Sequence, residues 1–420
     1  QIQRELLPFR FSPNGFRYLG INMTRSFSLL FEANFKVQLK EMRTDLDRWN
    51  SLPLTLAGRI HSVKMTILPK FLYLFQMLPV FLPKSFFSSI DQYISSFIWE
   101  SKIPRVNKHT LQQPCDAGGL GLPSFIHYYW ASNIQKILFW LHRPDTSWCL
   151  IEAQTCHLSS LPALVYFSLP MKTSQFTTNP TVLSTLRIFN QFRNHYKFQT
   201  ASILGPIYKN HLFPPSMLDS SFRCWETSGL RCIKDLYAEG LFSSFENLRR
   251  LYDLPHNHFF RYLQIRSFIK NKFPPFPDLA PSSPLDNLTS SYLPFTNEGL
   301  ISILYSQILS LQTHNLDKIK SRWEADLAIE LSEDFWGKAL KTIHSSSSSV
   351  RLRLIQFKVL HRVHFTKARL ARIFPGLDAS CDRCSLSPAN LLHMFWSCPL
   401  LENYWSLIFR AINEALTVTL

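Results

Sequence analysis

The stretch FEANFKVQLKEMRTDLDRW, residues 31–49, decides the fold class. Its apolar residues Phe31, Phe35, Leu39, Met42, Leu46 and Trp49 recur at spacings of three and four, the period of an amphipathic helix. Glu32 with Lys36 and Arg43 with Asp47 add i,i+4 ion pairs on the polar face. A second stripe follows in Leu56, Ile60, Val63 and Ile67, stopped by Pro69. A third begins at Ser85, a suitable N-cap, and runs through Phe86, Ile90, Tyr93, Ile94, Phe97 and Ile98. Three such helices with short connections predict a compact bundle. Upstream, residues 16–23 are aromatic-rich and read as strand.

Outward from this bundle, residues 115–270 carry a weaker helical pattern. Residues 272–294 then hold six prolines in 23 positions, which no helix sustains, so a linker is expected there. Ser332 before Glu333 and Asp334 starts another helix, with Lys338 and Lys341 toward its last turn. The Ser345–Ser349 run breaks it. A further helix is expected from Val350 to about His364, and Thr366 can cap a short one ending near Pro375. The expected fold is mainly α: a multi-domain helical chain with a short N-terminal β-hairpin and a small C-terminal zinc module. Its segments are 1–24, a helical bundle over 25–113, a helical connector over 114–271, a Pro-rich linker over 272–295, a basic helical region over 296–377, and a Cys3His module over 378–420.

Length and composition agree. At about 150 residues per domain, 420 residues make two or three domains. Only 12 glycines argue against glycine-rich and dinucleotide-binding folds, while 35 phenylalanines and 46% apolar residues can fill sizeable cores. The longest apolar run, about 71–83, is interrupted by Gln76 and Pro79 and falls short of the roughly 20 residues a membrane span needs. No signal peptide is evident, so no membrane association or secretion is expected. The first residue is Gln1 rather than Met, which suggests a piece of a longer chain. Eight cysteines are too few for a disulfide scaffold, which points to a reducing compartment, the nucleus and cytoplasm.

Charge points to a polyanion. The chain carries 45 Lys and Arg against 29 Asp and Glu, a net +16. Residues 48–90 hold five basic side chains and no acid, and residues 335–377 hold nine and no acid. Solvated helix faces usually mix signs, so RNA or DNA is the expected partner, with plain solubility charge as the alternative. Arg351, Lys358 and Arg362 fall at i, i+7 and i+11, hence on one helical face, and Lys367, Arg369 and Arg372 extend it. Such side chains contact phosphates without reading sequence. Phe365, Trp396 and Trp405 lie nearby and could stack on bases, although core packing is the expected role of Phe365 and Trp405.

The strongest local signal is Cys381-x2-Cys384-x8-His393-x4-Cys398, four candidate ligands within 18 residues. Three thiolates and an imidazole make a closed Cys3His set, the usual form of structural zinc. The alternative is three buried free thiols and a core histidine. His393 and Cys398 are five apart, about 140° on an ideal helix, so the segment between them should bend or unwind. Enzyme motifs are missing. No Asp-Asp pair occurs, and there is no phosphate-binding Gly-x4-Gly-Lys loop, nucleophile elbow or His-Glu-x2-His. Glycines 118, 119 and 121 are followed by Pro123 rather than a helix, and read as a turn. Alone, the chain is expected to be inactive and to take no small-molecule substrate.

In order along the chain, these motifs resemble the reverse transcriptase polyprotein of LINE-type, non-LTR retrotransposons. Phe16-Arg17-Tyr18-Leu19-Gly20 resembles the primer-grip hairpin that follows the family's palm. Gly58-Arg59, Val63-Lys64-Met65, Leu68-Pro69-Lys70 and Tyr73 resemble its thumb, which makes Arg59, Lys64 and Lys70 candidate contacts to nucleic acid. Leu82-Pro83, Phe97-Ile98-Trp99, residues 117–123 and Tyr128-Tyr129 follow. Then come residues 323–327, residues 358–362 and the Cys/His cluster, similar to the family's C-terminal segment. The resemblance implies RNA-directed DNA synthesis at a nicked target for the whole polyprotein. The paired aspartates of its palm and its endonuclease are absent from this sequence. The expected role is therefore gripping primer, template and RNA. The alternatives are a part of an active polymerase when a palm stands upstream, and an interaction protein whose basic face binds an acidic partner.

Overall fold

Phe16–Tyr18 and Ile21–Met23 pair antiparallel in the computed structural model of the chain, with Phe16 opposite Met23 and Tyr18 opposite Ile21. Leu19 and Gly20 turn between them, both at positive φ (47° and 84°), as a two-residue hairpin requires. The structure describes residues 12, 15–166, 175–198, 202–273, 287–288, 299–312 and 316–416. The Pro-rich linker expected over 272–295 lies almost wholly outside them. Of the described residues 65% are helical and 4% are in strands, so the chain is mainly α with a short N-terminal hairpin and a C-terminal Cys/His cluster. No helix among them is long and apolar enough to cross a membrane.

The backbone packs into two compact units. The first comprises residues 1–49, 65–94 and 124–312, the second residues 50–64, 95–123 and 313–420. The six segments of the sequence are thus regrouped, and residues 25–113 contribute to both units.

In the first unit, residues 31–49 form the amphipathic helix their spacing dictates, Val37–Asn50 entered through a π turn, Phe31–Lys36. Phe35, Met42 and Leu46 are buried. Asn34, also buried, accepts from Asn22 N at 2.9 Å and donates to Asn22 O at 3.0 Å, which fastens the hairpin to this helix. The Tyr73 hydroxyl donates to the Leu19 carbonyl at the hairpin turn. The core is aromatic: Phe35 lies 6.2 Å from Phe75, Phe71 lies 5.5 Å from Phe125, and Phe75 lies 5.3 Å from Tyr129. Tyr129 also donates to Val80 O and accepts from Leu82 N, both at 2.9 Å, satisfying backbone groups that would otherwise be buried without partners. Farther along, Phe222, Trp225, Leu236 and Ile265 centre another apolar core, where Trp225 Nε1 donates to His258 Nδ1 at 3.0 Å.

Two helix boundaries differ from those expected. Pro69 does not stop the second stripe, because Leu56–Ser62 passes through a π turn, Val63–Ile67, into the helix Leu68–Met77. Pro69 falls in the first turn of that helix, where its missing N–H is not needed. The helix assigned to Ser85 begins at Lys84 and runs to Ile98.

The second unit is built on the helices Asp317–Leu327, Glu333–Ser345, Val350–Leu360, Lys367–Ile373 and Glu402–Leu416. Ser332 and Thr366 cap as expected, accepting from Phe335 N at 3.2 Å and Arg369 N at 3.1 Å. The glycine turn packs among these helices. A Cβ at Gly119 would lie 2.0 Å from Gln113 O, so only glycine fits there. Gly118 has φ +79°, and its carbonyl accepts from His361 Nε2 at 2.7 Å.

Candidate metal centre and nucleic-acid interface

The Cys/His cluster is assembled by two local turns. After Cys381 the chain reverses through Ser385 at φ 64°, with Ser385 N donating to Cys381 O (2.8 Å) and Cys381 N to Leu386 O (2.9 Å). Ala389 N closes the loop on Ala379 O at 2.8 Å. His393–Ser397 is then a π turn. Its wider winding carries Cys398 back toward His393, as an ordinary helix could not. The unwinding expected from the 140° mismatch takes this form.

The donor atoms of Cys381, Cys384, His393 and Cys398 all lie within 4.8 Å of one another. A tetrahedron with arms of about 2.3 Å has edges near 3.8 Å, so the four donors can hold a metal ion without moving far. Cys384 Sγ is 3.2 Å from His393 Nε2. Backbone N–H groups of Cys384 and Arg383 point at Cys381 and pull its thiol down to about 6, toward the thiolate a metal requires. Burial pushes the Cys384 thiol up. Cys381 and Cys398 are buried with Ala389, Met394 and Leu401 packed around them. Asn390 Oδ1 accepts from His393 N at 2.8 Å and fixes the start of the π turn. Four protein donors close the set, which suits a structural ion rather than a catalytic one.

Beside this module lies a concave basic groove of about 580 Å³, whose wall includes Lys318, Arg322, Arg362, Arg369 and Arg372. Lys318 and Arg322 stand one turn apart on Asp317–Leu327, exposed, and neither forms an ion pair among the described residues. Arg369 is fixed by a bond from Nη1 to Arg362 O at 2.9 Å. Arg362 pairs with Asp326 and lies 4.8 Å over the Trp323 ring.

Several residues expected at the interface sit elsewhere. Arg362 is not on the helical face of Arg351 and Lys358, because that helix ends at Leu360 and Arg362 has φ 55°. Arg351 and Lys358 remain on Val350–Leu360 but do not line the groove. Arg59 is corrected outright. It is 4% exposed, donates to Asn50 Oδ1 at 2.7 Å and to Phe97 O at 3.0 Å, and pairs with Glu100 at 3.3 Å. It is a structural staple of the second unit and cannot reach a phosphate. Lys70 pairs with Asp45 at 2.7 Å, Lys367 pairs with Asp382 at 2.9 Å, and Lys64 is exposed.

Phe365, expected in the core, is 43% exposed, with the Arg105 and Arg369 guanidinium carbons 4.3 and 5.5 Å from its ring centre. Trp396, half exposed, lies 4.8 Å from Trp405, whose Nε1 donates to Phe395 O at 3.1 Å. Lys318 and Arg322 do not stand out in the sequence because Asp317, Glu324 and Asp326 share their helix, so no acid-free window contains them. Their i,i+4 spacing was the available signal. No family model matches the chain.

Proposed function

We propose that the chain is the nucleic-acid-gripping, non-catalytic C-terminal part of a LINE-type retrotransposon reverse transcriptase. The observation that carries the reading is the basic groove, whose wall carries five cationic side chains and no acid, with Arg362 paired to Asp326. Lys and Arg in a concave surface track a phosphate backbone without reading bases, and exposed rings such as Phe365 and Trp396 supply stacking. The Cys3His set holds a structural zinc that organises the module beside the groove. The order of motifs from the hairpin to the Cys/His cluster supports the family assignment, and RNA or DNA is the partner.

Single-stranded RNA binding across salt tests this. Each phosphate contact contributes a log–log slope of about −0.7, so replacing Lys318, Arg322 and Arg372 by Ala should flatten the slope by about 2. Affinity for unrelated sequences should fall alike. Replacing Lys40, Lys234 and Lys270, exposed residues of the first unit, removes the same charge and is the control. Equal losses in both triple variants would mean that net charge alone drives binding. Competition by polyglutamate as effective as by RNA at every salt would favour an acidic protein partner.

A further inference from the structure

A second cavity of the same unit shares no lining residue with the basic groove. It encloses about 710 Å³, within the range of small-molecule sites. Its walls are mostly aliphatic, with Pro53, Leu54, Leu120, Val350 and Leu354 among them. Two nitrogens are buried in this apolar setting without a hydrogen-bond partner, Nε of Arg353 and Nε2 of His344. Burying such groups unpaired costs about 1–3 kcal/mol each, more for a charged one, which marks a place where a partner group belongs. Arg353 forms no ion pair among the described residues, and its charge, with that of Lys64, acts on Cys115 at the wall. Asp116 is the acid that acts there, on both Cys115 and His344. His61 also lines the wall and turns its Nδ1 to Ala57 O at 2.7 Å.

We infer that this cavity binds an amphipathic anion, an organic carboxylate or phosphate monoester whose head meets Arg353 and whose aliphatic body lies on Leu54, Val350 and Leu354. The walls carry no Phe, Tyr or Trp, so a flexible aliphatic body suits them better than a stacked base. An anion satisfies the buried Nε of Arg353 through a charge-assisted hydrogen bond, and the tail displaces water from the aliphatic walls.

Calorimetric titration of the full chain with octanoate and with octyl phosphate tests the inference, with octyltrimethylammonium as the probe of equal tail and opposite charge. One saturating equivalent of either anion, and at least tenfold weaker binding of the cation, is expected; the better anion identifies the head group. The bound anion should shield Cys115 from N-ethylmaleimide in the unaltered protein, read on its peptide by mass spectrometry. Arg353→Met should weaken the anion at least tenfold, and Leu354→Trp should fill the cavity and abolish binding. RNA affinity should stay unchanged in both. Equal binding of the cation, no saturable binding, or unshielded Cys115 at saturation would overturn the inference, and the last two need no variant to fold. Loss of RNA binding on Lys318→Ala and Arg322→Ala with octanoate binding intact separates the two sites.

Discussion

Arg59 illustrates how a charge count can mislead at the scale of one residue. The window 48–90 has no acid, which suggests an external polyanion, yet the partner of Arg59 is Glu100, 41 residues away in sequence. Arg362 finds Asp326 in the same way, 36 residues upstream. Pairings at such separations are made by packing, and a window along the chain cannot register them. The buried guanidinium also covers the Phe97 ring at 5.0 Å. Arg59→Met keeps the apolar stem but leaves Asn50 Oδ1 and Phe97 O without their donor. Hydrogen bonds from charged groups are worth about 1.5–3 kcal/mol, so a loss of about 2–4 kcal/mol of stability is expected in chemical denaturation. RNA affinity of the folded variant should remain within twofold. A variant as stable as its parent but weaker on RNA would return Arg59 to the interface.

The elements were legible where their determinants are local. Residues 31–49 state a helix by spacing alone, and Ser332 and Thr366 announce their helices by side chains that reach three residues ahead. The candidate metal centre belongs to the same group, since its four candidate ligands lie within 18 residues and the one awkward spacing already called for a bend, which takes the form of the π turn at His393–Ser397. Less legible were the ends set by tertiary packing. Nothing local stops the helix at Leu360, where Trp323 Nε1 donates to the Leu360 carbonyl at 3.0 Å and helps satisfy the terminus. At this scale the test is zinc itself. Structural zinc contributes an apparent 10–16 kcal/mol or about that much to small domains, counted as folding energy. Cys384→Ser should therefore lower zinc content and raise hydrogen exchange over residues 378–410, while the helices Phe125–His142 and Pro180–Tyr196 of the other unit keep their protection. One full equivalent of zinc in the Cys381→Ser/Cys384→Ser double variant would defeat the assignment.

At the scale of the molecule, four histidines among the described residues share one bias. Burial, the largest cause in each case, holds the rings of His195, His258, His344 and His364 below their ordinary range, and neighbouring Lys or Arg charges add to it. The unfolded chain binds these protons near pH 6.5, about the free histidine value, and the folded chain only below that. The stability they contribute is complete above pH 6.5 and is lost as the pH falls through their folded values. The melting temperature should accordingly drop between pH 7 and pH 5. His258 has a specific reason to contribute, because its Nδ1 must be unprotonated to accept from Trp225 Nε1. His258→Gln, which keeps an acceptor without a titrating ring, should show a smaller drop. An acid response equal to that of the parent would remove His258 from this account.

The chain changes unit at 49/50, 64/65, 94/95, 123/124 and 312/313, five times in all. No single cut of the gene therefore releases either unit whole. A copy truncated ahead of residue 313 keeps the helices that line the groove but loses residues 50–64 and 95–123, and with them Arg59, Glu100 and the glycine turn under His361. Shortening from the 5′ end would thus erase the second unit long before it erased the codons for Cys381, Cys384 and Cys398.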